Sequence, residues 1–557
     1  MKNIKKMKAG AIYPVSIVIL LLLFGWHLLD VKDGVFETGD SWLLKNYLIL
    51  AVFVFGVVAA GGYLLLVKRE WKLEQVFLVF GLGFGILYLC VLPPLCAPDE
   101  SSHYISAYKL SNQIMGKNPT HRDGHVLIRS RDLYFEDLMG VDSRYKTGEK
   151  AEPVILGHLL DESVYRVIHE NGLFRGSDNP DALDYEGQPV DGGKGWEGES
   201  AAVSNLIPVN TTPLAYLPQA LGVTLGRMMG MNGIGLMFLG RLCNLFFYVL
   251  FVWLAMKRMP FGKEVVFGAS MLPMTLHLTG SMSYDVMILA LAFYFTACCL
   301  DLAYSRERVR AVDVVVMAVI MAVLGPCKMV YAVLMGLCLL IPVRKFGGWG
   351  KWFLSAALVA GAFALSMLLI NSRTIAVYAT QAESYVPWAE EAGYSLTYLI
   401  HNPVKMIRIF YNTVLYQAEH YHLTMIGAYL GNIDEVLNVP YLAAAAFTLC
   451  LIGLALRKPG ENLPFKMGAR VWIWVLCLGC GAAVCLSMLI AWTPLSSAVI
   501  AGVQGRYFLP VLPVFLLTVK NDWVVLTKNG DRAVLYLMCW LNGYVLLRLF
   551  SIVSIRL

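Results

Sequence analysis

Apolar runs of about 20 residues recur along the whole chain, and each is long enough to cross the hydrocarbon layer of a bilayer. A run of that length in lipid must satisfy its own backbone, so these spans read as helices. Segments of strand length that alternate in and out are missing, which argues against a barrel. Composition agrees: 58% of the 557 residues are hydrophobic, 15% are charged, and the mean hydropathy is +0.61. The fold class expected is therefore an all-α integral membrane protein. A net charge of +6 is too small to point to nucleic acid, and no such partner is expected. The 12 cysteines lie in or beside apolar runs, with none between Ala97 and Asn205, so no disulfide framework is read.

Where the charge sits gives a topology. Lys68-Arg69, Lys257-Arg258, Arg306 to Arg310 and Arg344-Lys345 fall between apolar runs, and the positive-inside rule puts them in the cytoplasm. The segment 97–205 holds 19 acidic against 11 basic residues and reads as a solvated region outside. Spans follow at residues 11–29, 47–67, 75–95, 234–256, 265–279, 284–304, 312–324, 330–343, 352–370, 441–456, 471–492, 507–519 and 533–552. That is about 13 transmembrane helices. Residues 213–229 are apolar too, but a crossing there would put Lys257-Arg258 outside, so they are read as an interfacial helix. The stretch 404–416 is read the same way. Three regions result: 1–74 with two N-terminal spans; 75–456 as the core, with external loops 97–233 and 371–438; and 457–557 as C-terminal spans. The expected location is the cytoplasmic (inner) membrane of a bacterium, multi-pass, with the N-terminus cytoplasmic.

Most polar residues that look misplaced in so apolar a chain fall on the outer side in this topology: Asp99, Glu100, His103, His277, Asp285, Lys328, Glu419, His420, His422, Gln504 and Arg506. Ionisable groups at membrane depth are costly and face a cavity or each other, so one polar site near the outer leaflet is expected. Pro98-Asp99-Glu100-Ser101-Ser102-His103-Tyr104 opens the first loop. Proline followed by two acids also begins ordinary helices, because acids favour the positive end of the dipole. The same setting keeps Asp99 ionised, able to take a proton from a hydroxyl or to hold a divalent cation. His103, one helical turn on, could touch a phosphate or orient the acid. Gly502-Val503-Gln504-Gly505-Arg506-Tyr507-Phe508-Leu509-Pro510 enters a late span; its glycines permit close backbone approach, and Arg506 offers a planar fork for phosphate. Arg506 could equally snorkel with Tyr507 in the aromatic belt. Asp285 and Lys328 stand at span ends and could pair with each other, while Lys328 alone would suit a lipid phosphate. His277, His420 and His422 lack regular zinc spacing, and Walker, Rossmann and kinase patterns are absent.

These elements, together with Ala107-Tyr108, Arg241-Leu242-x-Asn244, Ser283-Tyr284-Asp285 and Ile426-Gly427-x-x-x-Gly431, resemble a family of bacterial polytopic membrane proteins described only as a domain of unknown function. The resemblance runs from about Val76 onward. More distantly, the layout resembles the type C (GT-C) glycosyltransferases, which use polyprenyl-phosphate-linked sugars. Asp99, Glu100 and His103 are similar to the Asp-Glu pair and nearby histidine of protein O-mannosyltransferases; Arg506, Tyr507 and Pro510 are similar to an Arg-Tyr-x-x-Pro pattern opening a late span. Two departures stand: two spans precede the one that leads to Asp99, and no soluble C-terminal domain follows. The resemblance implies transfer of a sugar from a polyprenyl-phosphate donor to a hydroxyl of a cell-envelope glycan, lipid or protein. Asp99 and Glu100 would be catalytic. His103, Tyr104, Asp285, Lys328, Gln504, Arg506 and Tyr507 would bind substrate. A Mg or Mn ion, if used, would sit on Asp99 or Glu100. A flippase of lipid-linked glycans and a non-catalytic subunit of an envelope assembly are the rival readings.

Overall fold

In the computed structural model the described residues are 2–133, 172–174, 190–209, 211–380, 384–431, 437–461 and 465–555. Residues 134–171 and 175–189 of the acidic segment 97–205 therefore lie outside the description. Among the described residues, eight helices are long and apolar enough to cross a membrane: Tyr13–Glu37, Trp42–Val67, Leu73–Val91, Gly233–Arg258, Asp285–Tyr304, Trp349–Ser372, Met467–Trp492 and Gly530–Ile552. Each coincides with an expected span.

The other five expected spans differ. Three are shorter apolar helices, Ala311–Cys327, Met329–Leu340 and Tyr441–Leu454. Two are broken. The run 265–279 divides into Lys263–Ser270 and Pro273–Thr279, and the run 507–519 into a 3-10 turn Gly505–Phe508 and a short helix Leu512–Leu517. Proline causes both breaks, since it brings no N–H and its ring clashes with the preceding turn. Pro273 stands at the start of one fragment; Pro510 and Pro513 interrupt the other. The first break is sealed by Asn542, whose amide donates to the freed Met271 carbonyl (2.9 Å) while its oxygen accepts from the Tyr88 hydroxyl (2.9 Å).

Helix Asp285–Tyr304 is the hub. It is almost wholly buried and packs against Gly233–Arg258, Ala311–Cys327 and Met329–Leu340. Trp349–Ser372 lies at the periphery and shows most of its surface. Helices Lys2–Thr38, Trp42–Gly61 and Gly530–Ile555 pack on one another. At one end of the hub, Arg258 binds Asp301 (3.2 Å) and Asp313 (2.6 Å). Glu264, six residues after Arg258, and Glu461 both bind the buried Lys520 at 2.8 Å. The hub is 20 residues long, about 30 Å of helix, so Asp285 at its start stands far from this ionic end.

The described part of the first loop forms the helix Glu100–Ile114, an antiparallel strand pair Leu127–Arg129 with Ala201–Val203, a 3-10 turn Pro213–Tyr216 and the helix Leu217–Met228. That last helix exposes Leu217, Leu221, Leu225 and Met228 on one stripe and buries Gln219, Thr224 and Arg227 on the other. This is the amphipathic pattern of an element lying along a membrane surface. The stretch 404–416 belongs to a longer helix, Pro403–Ile426.

Candidate functional site

The site begins where the chain leaves helix Leu73–Val91. The connection turns through left-handed backbone at Leu95 (φ 71°) and Asp99 (φ 55°), a conformation that strains a residue with a Cβ. Helix Glu100–Ile114 starts immediately after. Asp99 makes no side-chain capping bond, and its side chain is 72% exposed. It is thus not an ordinary cap, although proline and two acids would suit one.

The adjacent Glu100 is entirely buried. Its Oε1 accepts from Arg241 Nε (2.8 Å) and from the Met282 amide (2.8 Å). Its Oε2 accepts from Arg241 Nη2 (2.5 Å) and from the Ala97 amide (3.2 Å). Burial pushes this carboxyl up, but the Arg241 charge and these four donors outweigh it and hold the group below its ordinary value. Arg241 also donates to the carbonyls of Leu92 (3.0 Å) and Pro93 (2.8 Å). One buried pair thereby joins the end of the third span, the start of the loop helix and the loop before Asp285. The catalytic role expected for Glu100 meets a carboxylate whose oxygens are already taken.

The loop 281–284 is fastened just as densely. Asn244 donates to the carbonyls of Ser281 (2.8 Å) and Ser283 (3.1 Å), and Gln219 donates to those of Met282 and Ser283, both at 3.2 Å. It presents Tyr284 and Asp285. His103 lies edge-on to Tyr284, with ring centres 5.2 Å apart, and its Nδ1 is hydrogen-bonded to the Tyr216 hydroxyl at 2.7 Å. Burial pulls the His103 pKa down to about 4; Asp99 and Asp285 raise it in part, and Arg506 opposes them. His103 is therefore a neutral, packed imidazole at pH 7, a hydrogen-bonding group and not a cation for a phosphate. Tyr104 is buried, edge-on to Tyr108.

Arg506 arrives from the opposite side of the sequence. Gly505 lies so close to helix Pro403–Ile426 that a Cβ there would fall 1.7 Å from the Tyr421 carbonyl oxygen and 2.5 Å from the Met425 nitrogen. Only glycine fits, and its N–H donates to Thr424 Oγ1 (2.8 Å). This contact aims Arg506 inward. Its side chain is 3% exposed; Nη2 stands 4.0 Å from Asp99 Oδ2 and Nε 3.6 Å from Asp285 Oδ2. Nε and Nη1 are buried with no hydrogen-bond partner, and so is Gln504 Oε1. Lys328 lies over the Tyr507 ring with Nζ 3.6 Å from its centre, and the Tyr507 carbonyl accepts from Tyr331 (2.8 Å).

The structure thus brings Asp99, His103, Asp285, Lys328, Arg506 and Tyr507 together from four places in the chain. Asp285 faces Arg506, not Lys328. Two of the other histidines read from sequence bond elsewhere: His277 Nε2 to the Gly431 carbonyl (3.2 Å) and His422 Nε2 to Thr448 Oγ1 (2.8 Å). Among the described residues, no group of three or more His, Cys, Asp and Glu side chains could hold a metal ion. Glu100 has no free oxygen for one, and a guanidinium occupies the space between Asp99 and Asp285. Among the described residues, the donor set does not fit a divalent cation. Arg241, Asn244, Gln219 and Tyr216 were not among the expected site residues, although an arginine inside an apolar span is itself a signal of a polar partner.

The model of a family described as predicted membrane protein (DUF2142) matches residues 189–515. The matched stretch contains Arg241, Asp285, Lys328 and Arg506, while Asp99 to His103 precede it. No curated protein and no solved structure matches the chain.

Proposed function

Since this chain belongs to the predicted membrane protein family DUF2142, we propose from the geometry of its polar site that it is a membrane glycosyltransferase taking a sugar from a polyprenyl-phosphate donor. The observation that carries this reading is Arg506: a buried guanidinium whose Nε and Nη1 make no hydrogen bond, ion-paired only at 3.6 Å with Asp285 and 4.0 Å with Asp99. A buried donor left unpaired costs about 1–3 kcal/mol, more when charged, so such a group is matched to an acceptor it meets in function. A phosphate oxygen answers that need, and Lys328 adds a second cation.

In this reading the acceptor hydroxyl approaches the exposed carboxylate of Asp99. The hydroxyl oxygen bonds to the anomeric carbon, its proton passes to Asp99, and the bond from that carbon to the phosphate oxygen breaks with its electron pair staying on the phosphate. Arg506 and Lys328 stabilise the charge that grows there. Asp285, 3.6 Å from Nε, balances part of the Arg506 charge without hydrogen-bonding it. Glu100 with Arg241 positions Asp99 and does not touch the reacting atoms. Arg506 and Lys328 supply the positive charge in this step. The acceptor is a hydroxyl of a cell-envelope glycan, lipid or protein.

The reading is tested by titrating purified protein with polyprenyl phosphate. Arg506→Met should weaken binding about tenfold to a hundredfold, the loss expected for charged hydrogen bonds. Equal binding by the folded variant overturns the assignment of the phosphate site.

A further inference from the structure

Lys328 is followed by a helix of uncommon form. Met329–Leu340 is a 3-10 helix over all 12 of its residues. Bonds of the i→i+3 type close both ends: the Tyr331 amide donates to the Lys328 carbonyl and the Ile341 amide to that of Cys338, each at 3.1 Å. Such bonds are poorly aligned, and runs beyond three or four residues are rare, so neighbours must hold this one stretched. Its buried side chains, Tyr331, Leu334 and Leu337, recur every third residue, the period of a 3-10 helix. Helix Met467–Trp492 also feeds its carbonyls: Trp472 Nε1 donates to Gly336 (2.9 Å) and Cys480 Sγ to Val330 (3.8 Å).

Both ends are tied. At the ionic end of the hub, Lys345 Nζ donates to the Leu302 and Ala303 carbonyls (2.8 Å each), and the Lys345 carbonyl accepts from the Val309 amide (2.9 Å). At the site, the Tyr331 hydroxyl donates to the Tyr507 carbonyl (2.8 Å), one residue past Arg506, and Lys328 Nζ lies over the Tyr507 ring. Lys328 is the joint, with extended backbone (φ −162°, ψ 99°) between this helix and Ala311–Cys327. From Met329 to Leu340, a rise of about 2.0 Å per residue in place of 1.5 Å makes the 3-10 form about 5.5 Å longer than an α-helix. None of the 12 residues is charged, so turning the segment into the α register exposes no charge to lipid.

We propose that Met329–Leu340 is a spring that holds Lys328 at the phosphate site when stretched and recoils into an α-helix when the tie at Tyr507 breaks. Recoil against the fixed far end draws Lys328 about 5 Å away from Tyr507. The proposal rests on the reading of Arg506 and Lys328 as a phosphate site. A phosphate held by both cations favours the stretched form, and by linkage the recoiled form binds phosphate more weakly. The spring thereby couples release of the phosphate to a change in helix length.

The test is a pulsed EPR distance on the full chain in lipid nanodiscs. Spin labels replace the exposed Met329 and Arg344 and are carried by unnatural amino acids, so that the native cysteines stay. The empty protein should show two distances about 5 Å apart, and added polyprenyl phosphate should enrich the longer. Tyr331→Phe removes the hydroxyl of the tie; it should enrich the shorter distance and weaken polyprenyl phosphate about twofold to tenfold, the loss of one hydrogen bond. A single distance that neither the lipid nor Tyr331→Phe alters overturns the spring. Two distances that answer to Tyr331→Phe and not to the lipid are resolved by titrating Arg506→Met. If that variant binds the lipid more weakly, the phosphate site stands and its coupling to the spring is overturned. If it binds equally, the phosphate reading itself is defeated and the spring remains.

Discussion

Two neighbouring acids open the loop helix, and the structure gives them opposite fates under the same substitution. Replacing Glu100 by Gln keeps its shape but leaves one oxygen where there were two. Each oxygen now accepts one nitrogen of Arg241 and one backbone N–H, so the amide must lose one such pair and turn an NH2 toward donors. The Arg241 guanidinium would remain buried, 1% exposed, without its counter-charge. Removing one partner of a buried pair costs about 3–5 kcal/mol. Asp99→Asn changes a side chain that is 72% exposed and caps nothing, so it should stay within about 0.5 kcal/mol of wild type. The assay is the fraction of monodisperse protein surviving a temperature ramp in detergent. Glu100→Gln should melt several degrees lower, Asp99→Asn with the wild type. In an Arg241→Met background the further effect of Glu100→Gln should shrink, by a coupling of up to about 3 kcal/mol. A Glu100→Gln protein that melts with the wild type and yet loses function would refute the reasoning and return Glu100 to the chemistry.

Gly505→Ala should destabilise by about 1–3 kcal/mol and weaken phosphate binding, because the atoms it meets are backbone and cannot rotate away; unchanged melting and affinity would deny that this close approach positions Arg506. His103 binds its proton more weakly folded, at about 4, than its ordinary value of 6.5. The unfolded chain therefore holds more protons between those values, and stability is complete above pH 6.5 and falls as the pH drops toward 4, by on the order of 3 kcal/mol. His103→Gln should flatten that part of a melting-temperature profile taken across pH 4 to 7; an identical slope in the variant would show that other groups cause it. Asn542→Leu leaves the Met271 carbonyl and the Tyr88 hydroxyl unpaired in the core and should cost roughly 2–4 kcal/mol, read by the same heat ramp; a neutral result would mean the helix break is sealed by something else.

The bundle was largely legible because a span announces itself by run length, and eight runs became continuous helices where expected. The breaks were not, since averaged hydropathy does not register that Pro273 and Pro513 sit inside apolar runs and stop the backbone ladder. At the site, counting charges by side of the membrane was enough to gather Asp99, Asp285, Lys328 and Arg506. What composition could not reveal was the division of labour between Asp99 and Glu100. That depends on a single backbone angle, φ 55° at Asp99, which leaves one carboxylate exposed and the next buried on Arg241. Arg241 stood out in the sequence only as part of the Arg241-Leu242-x-Asn244 element; its pairing with Glu100 was not legible, because the two lie 141 positions apart.

The central claim is that Asp99 and Arg506 serve one transfer reaction. The most direct measurement is release of polyprenyl phosphate by purified protein from a panel of polyprenyl-phosphate sugars, with acceptor glycans, lipids or peptides supplied. The account predicts donor-dependent release in the wild type, abolished in Asp99→Asn while that variant melts normally and still binds the donor through Arg506. Donor bound through Arg506 but carried across the membrane unhydrolysed and untransferred, with Asp99→Asn indistinguishable from wild type, would contradict it and make the protein a carrier of lipid-linked glycans.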